Sequence, residues 1–267
     1  MKMSKKAFFA TYGIEYRAKD QKILAPWGQW VRLPLTWGSK THCFSWSTLA
    51  GTKQWEVTFN GEKTVMKGTC PMQCAHCYGC AGRYAMASVY NANAWRTYAA
   101  RYFPEWLEKA ITAQINWGRN GRALAFVRVH ITGDFFSAEY VEMWKRIKEA
   151  CPNTRMWAYT KNKAAEDAFD DVEGFNIVKS LVPGFGLNYG HIDYVLKVYR
   201  ALRAAGIETH ICRCCIDGNQ HCDTCRACQD LRHVLFVEHG SDYKAAADPL
   251  YGELVEVVES AENTRHI

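Results

Sequence analysis

The chain has no uninterrupted run of about 18 apolar residues, so no membrane-spanning helix is expected. The opening residues, Met1-Lys2-Met3-Ser4-Lys5-Lys6-Ala7-Phe8-Phe9, are basic but have no long apolar stretch behind them. A signal peptide is therefore not expected, and a cytoplasmic setting is. Charge of one sign is not abundant either. A net charge of +6 over 267 residues permits a nucleotide or nucleic-acid partner without requiring one. Apolar residues are not scarce: at 48% they suffice for a sizeable core and argue against global disorder.

What is present in excess is cysteine. Ten of the twelve cysteines fall in two groups, at 70–80 and 212–228, while Cys43 and Cys151 stand apart and read as small buried hydrophobes. Without an export signal, clustered thiols point to metal rather than to disulfides. The first group is Gly68-Thr69-Cys70-Pro71-Met72-Gln73-Cys74-Ala75-His76-Cys77-Tyr78. Three thiolates, Cys70, Cys74 and Cys77, can hold three irons of a four-iron cluster and leave the fourth open to a ligand. Cys80 is the competing feature. As a fourth ligand it would close the cluster or complete a zinc site.

Along the chain, residues 1–60 show no sustained period and read as an extension of short strands and loops. Val57-Thr58-Phe59, Asn60-Gly61 and Glu62-Lys63-Thr64-Val65 predict a hairpin with a two-residue turn, whose second strand runs into Cys70. Helix is expected over 82–118 with a break at Pro104, then strands near 125–131, 155–160, 176–182, 207–211 and 233–237. Between them lie a helix capped by Ser137 and a strongly periodic helix from Ile192 to Leu202. A last helix starts at Asp248-Pro249. About six β/α units without internal repeats argue for a parallel sheet with crossover helices and a site at the strands' carboxyl ends. The expected organisation is an N-terminal extension (1–60), a main domain (61–240) that includes the Cys-rich segment 212–228, and a C-terminal helix and tail (241–267).

The first cysteine loop resembles that of the radical S-adenosylmethionine (SAM) superfamily, most like a compact branch carried by phages and mobile elements. The other shared elements are the Thr132-Gly133-Asp134-Phe135 turn, the Tyr159-Thr160-Lys161 strand end and Phe236-Val237-Glu238-His239-Gly240. The resemblance implies an α/β partial (β/α)6 barrel with a β-rich N-terminal extension and a Cys-rich C-terminal segment. It implies a [4Fe-4S] cluster on Cys70, Cys74 and Cys77 whose open iron chelates SAM. One electron from a flavodoxin or ferredoxin then cleaves SAM to methionine and a 5′-deoxyadenosyl radical, which abstracts a substrate hydrogen. The ring before Cys77 would pack on the cluster, and Tyr78 would lie near the adenine. Thr132, Gly133 and Asp134 would contact SAM, although the common Gly-Gly-Glu-Pro form is reduced here to one glycine, with Asp for Glu and no Pro. Thr160, Lys161 and Asn162 would hold its ribose and carboxylate. Glu238 and His239 offer an acid and an imidazole for proton transfer.

In the second group, Cys215, Cys222, Cys225 and Cys228 are the most regular set. Its Cys-x-x-Cys-x-x-Cys run has ferredoxin-like spacing. A second [4Fe-4S] cluster and a structural zinc are both open, with Cys212 or Cys214 able to replace Cys215. Arg213 and Arg226 would offset the negative charge of such a centre. The substrate expected is a nucleotide, a modified nucleic-acid base or another small molecule. Two rival functions stand beside the enzyme: a zinc-stabilised nucleic-acid-binding protein, and an electron carrier with two closed clusters.

Overall fold

A computed structural model gives the structure, describing residues 3–38, 42–51, 54–59, 61–70, 77–80, 82–119, 121–213, 216, 225–237 and 245–263. The chain divides into two compact units, Met1–Ser39 with Cys43–Phe175, and Lys40–His42 with Asn176–Ile267. That border at 175/176 is one the sequence does not announce: no Pro- or Gly-rich linker marks it.

The first unit opens with helix α1 (Lys5–Thr11), capped by the Ser4 side chain. An antiparallel meander follows, β1 (Tyr16–Arg17), β2 (Lys22–Leu24) and β3 (Trp30–Arg32). Next come β4 (Thr36–Gly38), β5 (Cys43–Ser45), and the hairpin β6 (Gln54–Phe59) and β7 (Glu62–Lys67). Two 3-10 turns, Tyr78–Cys80 and Gly82–Ala85, lead into α2 (Ala87–Tyr102) and α3 (Pro104–Trp117). The two helices break at Pro104, as its missing N–H and fixed φ demand. Then β8 (Phe126–Val129), α4 (Ala138–Ala150), β9 (Arg155–Thr160) and α5 (Lys163–Ala168) alternate, and β10 (Phe175–Lys179) begins at the border. Leu107, Ile111 and Ile115 of α3 and Met143, Trp144 and Ile147 of α4 are fully buried, which accounts for the amphipathic stripes of these helices.

Four strands of the unit's main sheet run in the order β9-β8-β5-β4. β5–β8 and β8–β9 pair parallel, and β4 pairs antiparallel on β5. Two expectations are corrected here. The hairpin is not the sheet's first strand: β6 and β7 pair with each other in a separate two-stranded ribbon. Nor do residues 1–60 stand outside the main sheet, because β4 and β5 belong to it. β5 escapes sequence reading because it is three residues long, has no apolar run, and places the polar Ser45 in a buried position. The ribbon's turn is as read: Phe59 pairs directly with Glu62, and Gly61 takes φ 82°, open to glycine at no steric cost.

In the second unit β11 (Leu181–Val182) and β12 (Gly186–Leu187) form a short ribbon, and β13 (Tyr189–Gly190) precedes α6 (Ile192–Ala204). They are followed by β14 (Thr209–Ile211), α7 (Ala227–Asp230), β15 (His233–Val237) and α8 (Tyr251–Asn263). Strand β15 lies between β13 and β14 and is parallel to both. Ile192, Val195, Leu196, Val198 and Leu202 of α6 pack with Ile211, Leu235, Val237, Leu254 and Val258 into this unit's core. The described strands thus form several small sheets, with no closed barrel among them. No helix among the described residues is long and apolar enough to cross a membrane.

Candidate functional site

The segment after β5, Trp46 through Gly51, is irregular yet buried throughout. Its backbone groups therefore need partners. Trp46 N donates to Arg128 O, Ile131 N to Trp46 O, and Thr48 N to Thr132 O, which carries the β5–β8 pairing past the strand ends. Leu49 N is taken by Thr97 Oγ1 at 2.8 Å, and Leu49 O by Thr69 N at 2.9 Å. The last bond matters most. It returns the chain, after the ribbon, to the carboxyl end of β5 one residue before Cys70. Cys70 is thus brought beside the segment that follows β5, by a different route from the one the hairpin suggested.

A seam of hydroxyls underlies that point. Each hydroxyl carries one hydrogen, so donors can be assigned. Thr69 Oγ1 donates to Leu49 O (3.2 Å) and accepts from Asp134 N (3.0 Å). Thr48 Oγ1 lies 2.8 Å from Thr69 Oγ1, a pair in which either hydroxyl can donate. Thr132 Oγ1 donates to Thr48 O (2.8 Å) and accepts from Asn93 Nδ2 (3.3 Å). Thr160 Oγ1 donates to Asp134 Oδ1 (2.5 Å) and accepts from Asn162 N (2.9 Å). Asp134 also receives Phe135 N (2.8 Å) and Lys161 N (3.0 Å). Burial pushes the Asp134 carboxyl up to about 6, against the opposing pull of Thr160, the two amides and the Lys161 charge.

The structure thus gathers Thr132, Gly133, Asp134, Thr160, Lys161 and Asn162 beside Thr69-Cys70. It also shows how their polar groups are used. The hydrogens of Thr132 and Thr160 and the oxygens of Asp134 are committed inward. Asn162 Oδ1 caps α5 by accepting from Ala164 N and Ala165 N, and its Nδ2 donates to Phe135 O (3.0 Å). Gly133 has φ 81°, and a Cβ there would lie 1.9 Å from Thr48 Oγ1 and 2.5 Å from Thr69 Oγ1. Only glycine lets the turn sit on the two hydroxyls.

Cys70 and Cys77 are half-buried. Cys80 N donates to Cys77 O at 2.9 Å, and Cys80 Sγ lies 3.6 Å from Ala50 O. Gly79 and Gly51 make that approach fit: a Cβ on Gly79 would come within 2.5 Å of Ala50 Cβ, and one on Gly51 within 2.9 Å of Cys80 Sγ. Cys74, Cys215, Cys222, Glu238 and His239 lie outside the described residues, as does the side chain of Tyr78. Among the described residues no group of three His, Cys, Asp or Glu is gathered closely enough to hold a metal. Cys43 and Cys151 are buried, as their isolation in the sequence suggested. In the second unit Cys212 follows β14, and Cys225 Sγ lies 3.7 Å from His210 Nε2 on that strand. Cys228 O accepts from Asn176 Nδ2 at 3.0 Å.

Sequence reasoning missed Thr48, Asn93 and Thr97, whose roles are visible only once β5 is seen to be a sheet strand. It also missed His130, at the end of β8. That residue has φ 58° and a ring packed against Phe135 and Tyr140, close to the Thr132 backbone. Burial pushes its pKa down to about 3. The available signal was a polar residue inside the apolar run 125–131.

A family model described as Gene product 88, a phage-type family, matches residues 38–182, more than half of the chain. The match takes in the first cysteine loop and the hydroxyl seam, and ends before the second cysteine group. No curated protein and no solved structure matches. The expected membership of the radical SAM superfamily is corrected by this finding, since no model of that superfamily matches. The physical reason is that Cys-x-x-x-Cys-x-x-Cys specifies donor spacing rather than ancestry. The turn taken as its companion motif has its own cause, the packing of Gly133 on Thr48 and Thr69.

Proposed function

We propose that this chain, which belongs to the Gene product 88 family, is an iron–sulfur enzyme that uses SAM. Cys70, Cys74 and Cys77 would hold a four-iron cluster, with SAM on the fourth iron and a nucleotide or nucleic-acid base as substrate. When bound, cluster and SAM supply a one-electron cleavage and a carbon radical able to remove a substrate hydrogen; the electron comes from a flavodoxin- or ferredoxin-type donor. The observation that carries the reading is the placement of Cys70 and Cys80. Thr69 fixes the start of the loop on the carboxyl end of β5, while Cys80 has its thiol beside Ala50 O. A Cys80 held there favours three thiolate ligands over four.

The chain's own residues would position and exclude. The seam of Thr48, Thr69, Thr132, Asp134 and Thr160 fixes the turn below the loop. The Lys161 ammonium would offer a point charge for the SAM carboxylate. Glu238 and His239 remain proposed proton carriers, and the net charge of +6 favours an anionic substrate.

Anaerobic reconstitution with iron and sulfide, then dithionite and SAM, tests this. The expected result is release of 5′-deoxyadenosine, lost in Cys77→Ala and kept in Cys80→Ala. No release together with no SAM binding, or a cluster lost in Cys80→Ala, would overturn it.

A further inference from the structure

We propose that the outer face of the β1-β2-β3 meander binds single-stranded nucleic acid. Strand register creates that face. Tyr16, Ile23 and Val31 lie opposite one another and are buried, with Tyr16 packed on Phe9 of α1 at 5.1 Å. Side chains alternate along a strand, so their neighbours face the other way. Arg17 stands directly opposite Lys22, and Lys22 directly opposite Arg32. Three cations thus form one row across three strands, roughly 10 Å long at the usual strand spacing. Leu24 and Trp30 pair in the next row of the same face. Like charges held opposite each other repel, so the row works against the fold. Asp20 answers part of it, 2.6 Å from Arg17 Nη2 and 3.6 Å from Lys22 Nζ. Arg32 is exposed and has no carboxylate partner among the described residues. Over residues 15–32 four cations, Arg17, Lys19, Lys22 and Arg32, stand against two acids, Glu15 and Asp20.

Chemistry selects the occupant. The Arg17 guanidinium lies 4.2 Å from the Trp30 ring centroid, and two bonds to Asp20 hold it there, Nε to Oδ1 at 2.8 Å and Nη2 to Oδ2 at 2.6 Å. An indole and a fixed guanidinium plane beside a row of cations suit an unpaired base and its flanking phosphates. A duplex offers no free base face, and its major groove admits a helix or a two-stranded ribbon rather than the face of a three-stranded sheet. A membrane surface would need apolar side chains standing out from the face, whereas Leu24 and Trp30 are both half-buried. The meander lies within the first unit and ahead of the residues the family model matches. It gives the nucleic-acid substrate proposed above a surface that holds the strand, and it does not rest on the cysteine loop.

The test reads binding on the full chain, kept reduced and without SAM, by fluorescence anisotropy of a labelled oligothymidylate of about 12 nucleotides. Lys22→Gln with Arg32→Gln should weaken binding about tenfold or more. It should also reduce the slope of log affinity against log salt by about 1.4, from two contacts at about 0.7 each. The same variant should be no less stable in urea, because it relieves the repulsion within the row. Trp30→Ala should weaken binding about fivefold or more, and Trp30→Phe should keep most of it. Lys197→Gln with Arg203→Gln removes the same charge from exposed positions of α6 and should leave affinity unchanged. No binding at low salt, equal losses in the two charge variants, tighter binding to a blunt duplex, or a preference for phosphatidylserine vesicles would each overturn the proposal. None of these readings uses iron or SAM, so a failure to release 5′-deoxyadenosine would leave it standing.

Discussion

Asp134 and His130 lie four residues apart, and burial works on both in opposite electrical senses. The Asp134 carboxyl is raised from its usual 3.8 to about 6, so its contribution to stability is full below pH 3.8 and is lost as pH rises through 6. Burial lowers the His130 imidazole from 6.5 to about 3, so its contribution is full above pH 6.5 and is lost as pH falls through 3. A tenfold change in proton affinity is worth about 1.4 kcal/mol, which makes the two effects comparable, about 3 and about 5 kcal/mol. Between pH 4 and 6 they oppose each other. Urea midpoints of the native chain should vary little over that window on their account. Asp134→Asn should leave stability rising with pH, and His130→Asn, which tolerates the left-handed backbone, should leave it falling. Identical slopes in all three chains would show that neither group titrates as its burial requires. The sequence reading picked out Asp134 as a SAM contact and gave no sign of its burial. Its burial follows from Thr69, Thr160 and the Lys161 amide meeting it from three segments, which no local pattern encodes.

At the scale of elements, most of the helices could be read. Pro104, Ser137 and Gly206 act where the sequence puts them, because caps and breakers are local chemistry. What could not be read was pairing. The hairpin carries the strongest strand signal in the first third of the chain and lies outside the main sheet. β5 carries almost none and lies inside it, since buried polar residues such as Ser45 and Thr48 leave no hydrophobic trace. Helix α5 depends on one residue, Asn162, which both caps it and ties it to Phe135 O. Asn162→Ala should cost about 1–2 kcal/mol in chemical denaturation. Asn162→Asp should recover part of that loss, because it keeps the capping oxygen and drops the donor to Phe135. A loss equal in both variants would place the stability in the tie alone.

For the whole molecule, the division at 175/176 separates the two cysteine groups into units with their own cores. Metal at the second group should therefore stabilise the second unit in particular, since a site formed only on folding contributes its binding energy to folding. Hydrogen exchange before and after removal of any metal bound there should show faster exchange in peptides of α6, β14 and β15. Peptides from α3 and α4, which pack on each other and on helices of the first unit, should keep their rates. Uniform acceleration along the chain would contradict this. The sequence showed both cysteine groups at once but not this partition, because contacts between distant segments, rather than linker composition, define it.

The hydroxyl seam has one further property. While Asp134 is ionised, each threonine hydroxyl of the seam has an acceptor within 3.2 Å, which restrains its dipole. Dipoles that cannot turn do not relax around a charge that appears beside them. A group changing its charge above the seam would meet a medium of low polarisability, and the reorganisation energy of that change would be small.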